Sequence, residues 1–241
     1  MGNTNLDIKR FYPEVRSLPR GRNQLAIRER EGCTKESPCG RLPCHACGLA
    51  VRKWFTGQML DLFGNHERLD AVSIITERHM YADWELHDAK MKEVARYHRD
   101  IIKRSKLGDR PWLGAIDISC NTTSSNPDED LWSLHAMLIT PRLSDGERSE
   151  LRSRLRSSAL VQRPLRRSEV YDLEGISAYA FKPNFNTRYQ YVDATGRKNT
   201  FSSLLKGRQL KTLSDEMSSS WHQDRLITIG LRRHGSRLVK I

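Results

Sequence analysis

Three short apolar runs, set apart by helical and polar stretches, constrain this chain most. Residues 69–76 (LDAVSIIT), 112–120 (WLGAIDISC) and 131–139 (LWSLHAMLI) are rich in β-branched and aromatic side chains and read as strands. Between the first two, Trp84, His87, Met91, Val94, Ala95, Ile101 and Ile102 fall on one stripe and predict a long helix over 82–106. Residues 121–130 (NTTSSNPDED) form a polar turn with Asn126–Pro127, and Pro141 ends the third strand. Ser144 with Glu147 three residues on is a capping box opening a helix over 144–157. A fourth strand follows at 165–172 and a short helix at 174–182. Strand, helix, strand, strand, helix, strand is the split ferredoxin-like order. The expectation is an α+β domain over 65–185: an antiparallel sheet with helices on one face.

In front of this domain the chain reads CTKESPCGRLPCHAC, spaced Cys33-x5-Cys39-x4-Cys44-x2-Cys47. Four thiols within fifteen residues, closed by a Cys-x2-Cys pair, suit a tetrahedral structural zinc. Gly40 and Pro43 let the chain turn between the ligand pairs, and His45 is a substitute ligand within reach. Redox-active or free thiols are the other reading. The fifth cysteine, Cys120, reads as a small core residue. Clustered rather than evenly spread cysteines argue for a reducing, cytoplasmic setting. Apolar residues from Leu49 to Phe63 predict a helix growing out of the knuckle and stopped by Gly64–Asn65. Residues 1–64 are thus an arm, a knuckle and a helix, in which 1–31 are an irregular basic arm or a mobile tail.

Charge narrows the partners. The 241 residues hold 41 Lys and Arg against 29 Asp and Glu, a net +12. Residues 196–241 hold ten of the cations and three of the acids. Residues 186–241 read as a basic extension, with a helix over 200–217 and an apolar strand or turn over 226–231. A solvated face is the plain explanation of such charge, and a nucleic-acid contact the functional one. Arg152 and Arg156 share one face of the 144–157 helix and invite the same two explanations. No apolar run approaches the roughly 20 residues of a spanning helix, which excludes an integral helical membrane protein.

The chemistry concentrates in three places. Asp117 lies in the second strand and His135 in the third, and alternation in a hairpin puts both on one face in a suitable register. An Asp inside an apolar strand needs a partner. Tyr179 and Lys182 lie one helical turn apart in 174–182. Tyr171, Tyr189 and Tyr191 are rival nucleophiles, but none has a Lys at that spacing. A carboxylate and an imidazole facing a phenol and an ammonium is a constellation for phosphoryl transfer.

AVSIIT, WSLHAMLI and SAYAFKP, in this order, resemble the three motifs of the HUH endonuclease superfamily, in particular the rolling-circle replication initiators of plasmids and phages. The resemblance covers about residues 69–182, and a cysteine cluster before the first motif also occurs in some plasmid initiators. It implies cleavage of single-stranded or origin DNA by Tyr179, with Lys182 assisting. It also implies a divalent Mg²⁺ or Mn²⁺ and an enzyme left on the 5′ phosphate; in this chain His135 and Asp117 are the pair to hold that metal, with His79 and His87 near the first motif as further candidates. Where the second motif would carry its other His, this chain has Ser133. Two further expectations therefore stand beside nicking. One is a nucleic-acid-binding protein with this fold and no catalysis. The other is a zinc-stabilised interaction module that contacts RNA or a protein.

Overall fold

The computed structural model describes residues 33–34, 37–42, 44–122, 130–192, 195–196, 198–205 and 207–241. The predicted arm over 1–31 lies outside the described residues, as do Pro43 and most of the predicted 121–130 turn.

The molecule is α+β, built on a mixed sheet. Its central strands are β1 (Leu69–Ile74), β3 (Trp112–Thr122) and β4 (Leu131–Pro141), the three apolar runs of the sequence. β2 (Met80–Ala82) is a short strand added to the end of β4. The edge strand β5 (Leu165–Glu169) pairs antiparallel with β1, giving the order β5-β1-β4-β3 with every pair antiparallel. Beyond β3 come β6 (Asn186–Val192) and β7 (Lys198–Leu204), and here the expectation of a wholly antiparallel sheet is corrected: β6 runs parallel to β3. The chain leaves β5 at one edge, crosses the sheet as a helix and re-enters at the far side. β8 (Leu226–Ile229) takes the other half of the same β3 edge. A separate two-stranded ribbon, β9 (Leu231–His234) and β10 (Arg237–Lys240), ends the chain.

Helices cover both faces, not the single face expected, because the central strands are apolar on both sides. Along β3, Ile116, Ile118 and Cys120 point to one side, and Leu113 and Ala115 to the other. The first side is sealed by α2 (Met91–Arg104) through Met91, Val94, Ile101 and Ile102, and by Leu151 of α3 (Asp145–Ser153). The second is sealed by α1 (His45–Phe63), whose Val51, Phe55, Met59, Leu62 and Phe63 recur at helical spacing. Beside α1 lies α4 (Leu173–Ala180), with the Phe55 and Phe181 rings 5.0 Å apart. Each such fully buried side chain contributes roughly 1.5–3 kcal/mol.

Three predicted helices are shorter than expected; the 144–157 helix ends at Ser153, so Arg156 lies beyond it and does not share a helix face with Arg152. The 82–106 stretch breaks into β2, a 3-10 turn over Asp83–Asp88 and α2. Asp83 accepts the indole N–H of Trp132 at 2.6 Å, and Glu85 accepts the N–H of Ala82, so the acids cap a turn instead of continuing a helix. Trp84 is 65% exposed and leaves the apolar stripe. The 200–217 stretch divides into β7 and α5 (Gly207–Glu216), because Thr200 and Phe201 pair with β6, and Gly207 adopts a positive φ of 49°. Ser144 and Glu147 cap α3 reciprocally, as the capping box requires.

Candidate functional site

The β3–β4 register sets Asp117 directly opposite His135 and Ser119 directly opposite Ser133. These positions lie in phase with Leu113, Ala115, Met137 and Ile139, so all four side chains face α1 and α4. Asp117 and His135 are 1% and 4% exposed. His135 Nε2 lies 3.6 Å from Asp117 Oδ2.

The helix supplies the other half. The α4 helix starts where Asp172 accepts the Gly175 N–H and ends at Phe181; Lys182 follows ahead of Pro183, its backbone N–H bonded to the Tyr179 carbonyl. Lys182 Nζ donates to Asp117 Oδ2 at 2.8 Å and stands 4.6 Å from the centre of the Tyr179 ring. Tyr179 is 44% exposed, so the phenol reaches solvent while its cation partner is buried. All four residues singled out in the sequence are therefore contiguous.

A fifth residue carried no signal. Arg225 is fully buried, donates from Nε to the Ile116 carbonyl at 2.7 Å and from Nη1 to the Lys182 carbonyl at 3.2 Å. Its guanidinium lies over the rings of Phe181 and Phe185. Partners β8 and β6 cover 112–115 and 119–122 on this edge of β3 and leave a gap between them, which Arg225 fills. The only hint in the sequence is a lone cation directly before the apolar run LITIG.

The electrostatics follow from burial. Desolvation opposes ionisation of Asp117, but Lys182, His135 and Arg225 outweigh it and hold the carboxyl below its ordinary range. Burial pushes His135 down to about 4 against the pull of Asp117, with Arg188 and Lys182 adding to the effect. Burial also lowers Arg225 to about 10. The site at neutral pH is a carboxylate, a neutral imidazole and two cations. Asp117 Oδ1, His135 Nδ1 and Ser119 Oγ are buried with no hydrogen-bond partner among the described residues. Lys182 already neutralises Asp117 Oδ2, which leaves these three among the unpartnered atoms of the site.

The second site is the cysteine cluster. The sulfurs of Cys33, Cys39, Cys44 and Cys47 lie within 4.8 Å of one another, with Cys33–Cys47 at 3.5 Å and Cys39–Cys47 at 3.8 Å. Tetrahedral Zn–S bonds of about 2.3 Å require sulfurs about 3.8 Å apart, so the four could hold a metal ion such as zinc. Gly40, at φ 66°, turns its N–H onto Cys47 Sγ at 3.2 Å. The thiols of Cys44 and Cys47 are pushed up by neighbouring sulfurs, Cys33 first. His45 is not part of the cluster.

The two sites are joined. His222 Nε2 bonds the Cys44 carbonyl at 2.8 Å, and its N–H bonds the Gly40 carbonyl. His222 opens the same 3-10 turn, His222–Arg225, that ends in the buried guanidinium. Cys120 is fully buried, with its thiol pushed up by burial. Among the described residues, no helix is long and apolar enough to cross a membrane.

Comparison with known proteins returns nothing. No family profile, no curated protein and no solved structure matches this chain.

Proposed function

We propose that this chain is a DNA-nicking protein of the replication-initiator kind, using Tyr179 as nucleophile on single-stranded or origin DNA. The observation that carries the reading is the convergence of Tyr179, Lys182, Asp117 and His135 on one sheet face. The antiparallel order β5-β1-β4-β3, with α2 and α3 as its connections, supports reading these strands as a ferredoxin-like core inside the larger mixed sheet. The Tyr179 oxygen bonds to phosphorus, the 3′ oxygen leaves, and the 5′ phosphate stays on the enzyme. Lys182, beside the phenol ring, balances phosphate charge. A divalent Mg²⁺ or Mn²⁺ would be held by Asp117 and His135, and it supplies polarisation of a phosphate oxygen. The cysteine cluster takes a structural zinc in a reducing cytoplasm.

The test is a covalent adduct in a denaturing gel, after incubation with mixed single-stranded DNA and Mn²⁺. An adduct absent from Tyr179→Phe supports nicking. A second reading, binding without cleavage, is favoured by two observations: Ser133 in the histidine position, and the Lys182 ammonium already on Asp117. Salt-sensitive binding with no adduct supports that reading. Absence of both DNA and RNA binding at moderate salt contradicts both and leaves a zinc-stabilised interaction module.

A further inference from the structure

The terminal ribbon β9–β10 is the least explained charged surface. Residues 226–241 contain Arg232, Arg233, Arg237 and Lys240, with His234, and no Asp or Glu. Alternation splits the ribbon into two faces. Leu231 and Leu238 are buried in the core shared with α1. On the outward face, Arg237 pairs with His234 and Val239 with Arg232, so Arg232, His234 and Arg237 stand together in solvent. Among the described residues, none of the three ribbon arginines has a carboxylate within ion-pair distance; by contrast, Arg148 of α3 pairs with Asp145, and Arg154 at its C-cap pairs with Glu150. Arg232 and Arg237 are thus diagonal neighbours on one exposed face, where a phosphate could meet both.

The ribbon is also held in place. Trp54 Nε1 of α1 donates to the Ser236 carbonyl at 2.8 Å, and Gln58 Oε1 accepts the Leu238 N–H at 2.5 Å. Gly235, at φ 62°, forms the turn. A fixed, outward, acid-free ribbon matches a rigid polyanion rather than a flexible one. It carries no Phe, Tyr or Trp, the large rings on which sequence-tolerant binding of single strands mostly depends. A two-stranded ribbon fits the major groove of B-DNA, whereas the deep, narrow major groove of duplex RNA excludes it.

We propose that the β9–β10 ribbon grips the phosphates of duplex DNA, at a surface separate from the Tyr179 site. This does not depend on nicking, because the ribbon makes no use of Tyr179, Asp117 or His135.

The experiment measures affinity of the whole protein for a 20-base-pair DNA duplex, the matching RNA duplex and a single strand, from low to moderate salt. The variant is Arg232→Gln, Arg233→Gln and Arg237→Gln together; all three side chains are exposed, and circular dichroism checks that the fold is retained. Expected is a tenfold or greater loss on duplex DNA at moderate salt. The salt slope should fall by about 0.9 for each phosphate contact removed, with single-strand affinity changed less than twofold. Arg152→Gln on α3 with Arg156→Gln just beyond its end should leave duplex binding within twofold. Unchanged duplex binding, an equal loss on single strands, an equal loss from the α3 variant, or tighter binding of duplex RNA each overturns the proposal.

Discussion

At the scale of single residues, one buried carboxylate holds the cluster together. Asp117 faces Lys182, His135 and Arg225 with almost no water. Removing one partner of a buried pair leaves the other uncompensated, which costs about 3–5 kcal/mol. Asp117→Asn should therefore lower the urea midpoint sharply, whatever it does to catalysis. A midpoint within experimental error of the parent would mean that Lys182 reaches solvent freely. Histidines add a pH dependence. His79, His98 and His135 are buried with pKa values lowered to about 4, and His222 to about 3, all first by desolvation. The unfolded chain binds protons at these positions from about pH 6.5 downward, and the folded chain does not. Stability is then fully present above pH 6.5 and falls as pH drops toward 4, by up to about 1.4 kcal/mol per pH unit for each histidine. Urea midpoints from pH 7.5 to 5 should fall in this direction; a flat profile contradicts the neutral, buried assignment.

At the scale of elements, two contacts decide whether the site stays assembled. Gly114 lets β3 pass β4 closely: a Cβ there would lie 2.1 Å from the Met137 carbonyl oxygen and 2.7 Å from the Leu138 Cα. Backbone cannot swing away as a side chain can, so Gly114→Ala should cost roughly 1–3 kcal/mol in thermal or urea unfolding. The other contact is the cysteine cluster, whose Cys44 carbonyl holds His222 and through it the turn that carries Arg225. Purified protein should release one zinc per chain on denaturation, and chelation should lower the melting temperature and loosen α1. A sample without zinc, or chelation without effect on melting, contradicts a metal-stapled knuckle. The elements that were legible in the sequence are those with one clear period. The strands β1, β3 and β4, the capped α3 and the α1 stripe follow from local pattern. So does the shared face of Asp117 and His135, since strand alternation requires it once the register is set. The β6–β7 hairpin was not legible, because Thr200 to Met217 carries apolar residues at spacings that also suit a helix. Arg225 was not legible either: its burial comes from a gap between β8 and β6, which only tertiary pairing creates.

At the scale of the whole molecule, the α4 crossover explains why a site exists on this face. The chain passes from the β5 edge over the sheet and enters beside β3, so the last turn of α4 and Lys182 come down on the middle of the central strands. The opposite face is packed mainly with apolar side chains, and its buried carboxylate, Asp70, is already paired with Arg167 at 2.6 Å and accepts the Leu143 N–H. Chemistry, knuckle and terminal ribbon then share one side of the sheet, with α1 contacting all three. The central claim is that Tyr179 is the nucleophile, and peptide mapping of a covalent DNA adduct tests it most directly. After reaction with single-stranded DNA and Mn²⁺, nuclease trimming and trypsin, the peptide over residues 168–188 should carry a nucleotide phosphate. Fragmentation should place it on Tyr179 rather than Tyr171. Modification of any other tyrosine, or an adduct that persists in Tyr179→Phe, contradicts the account.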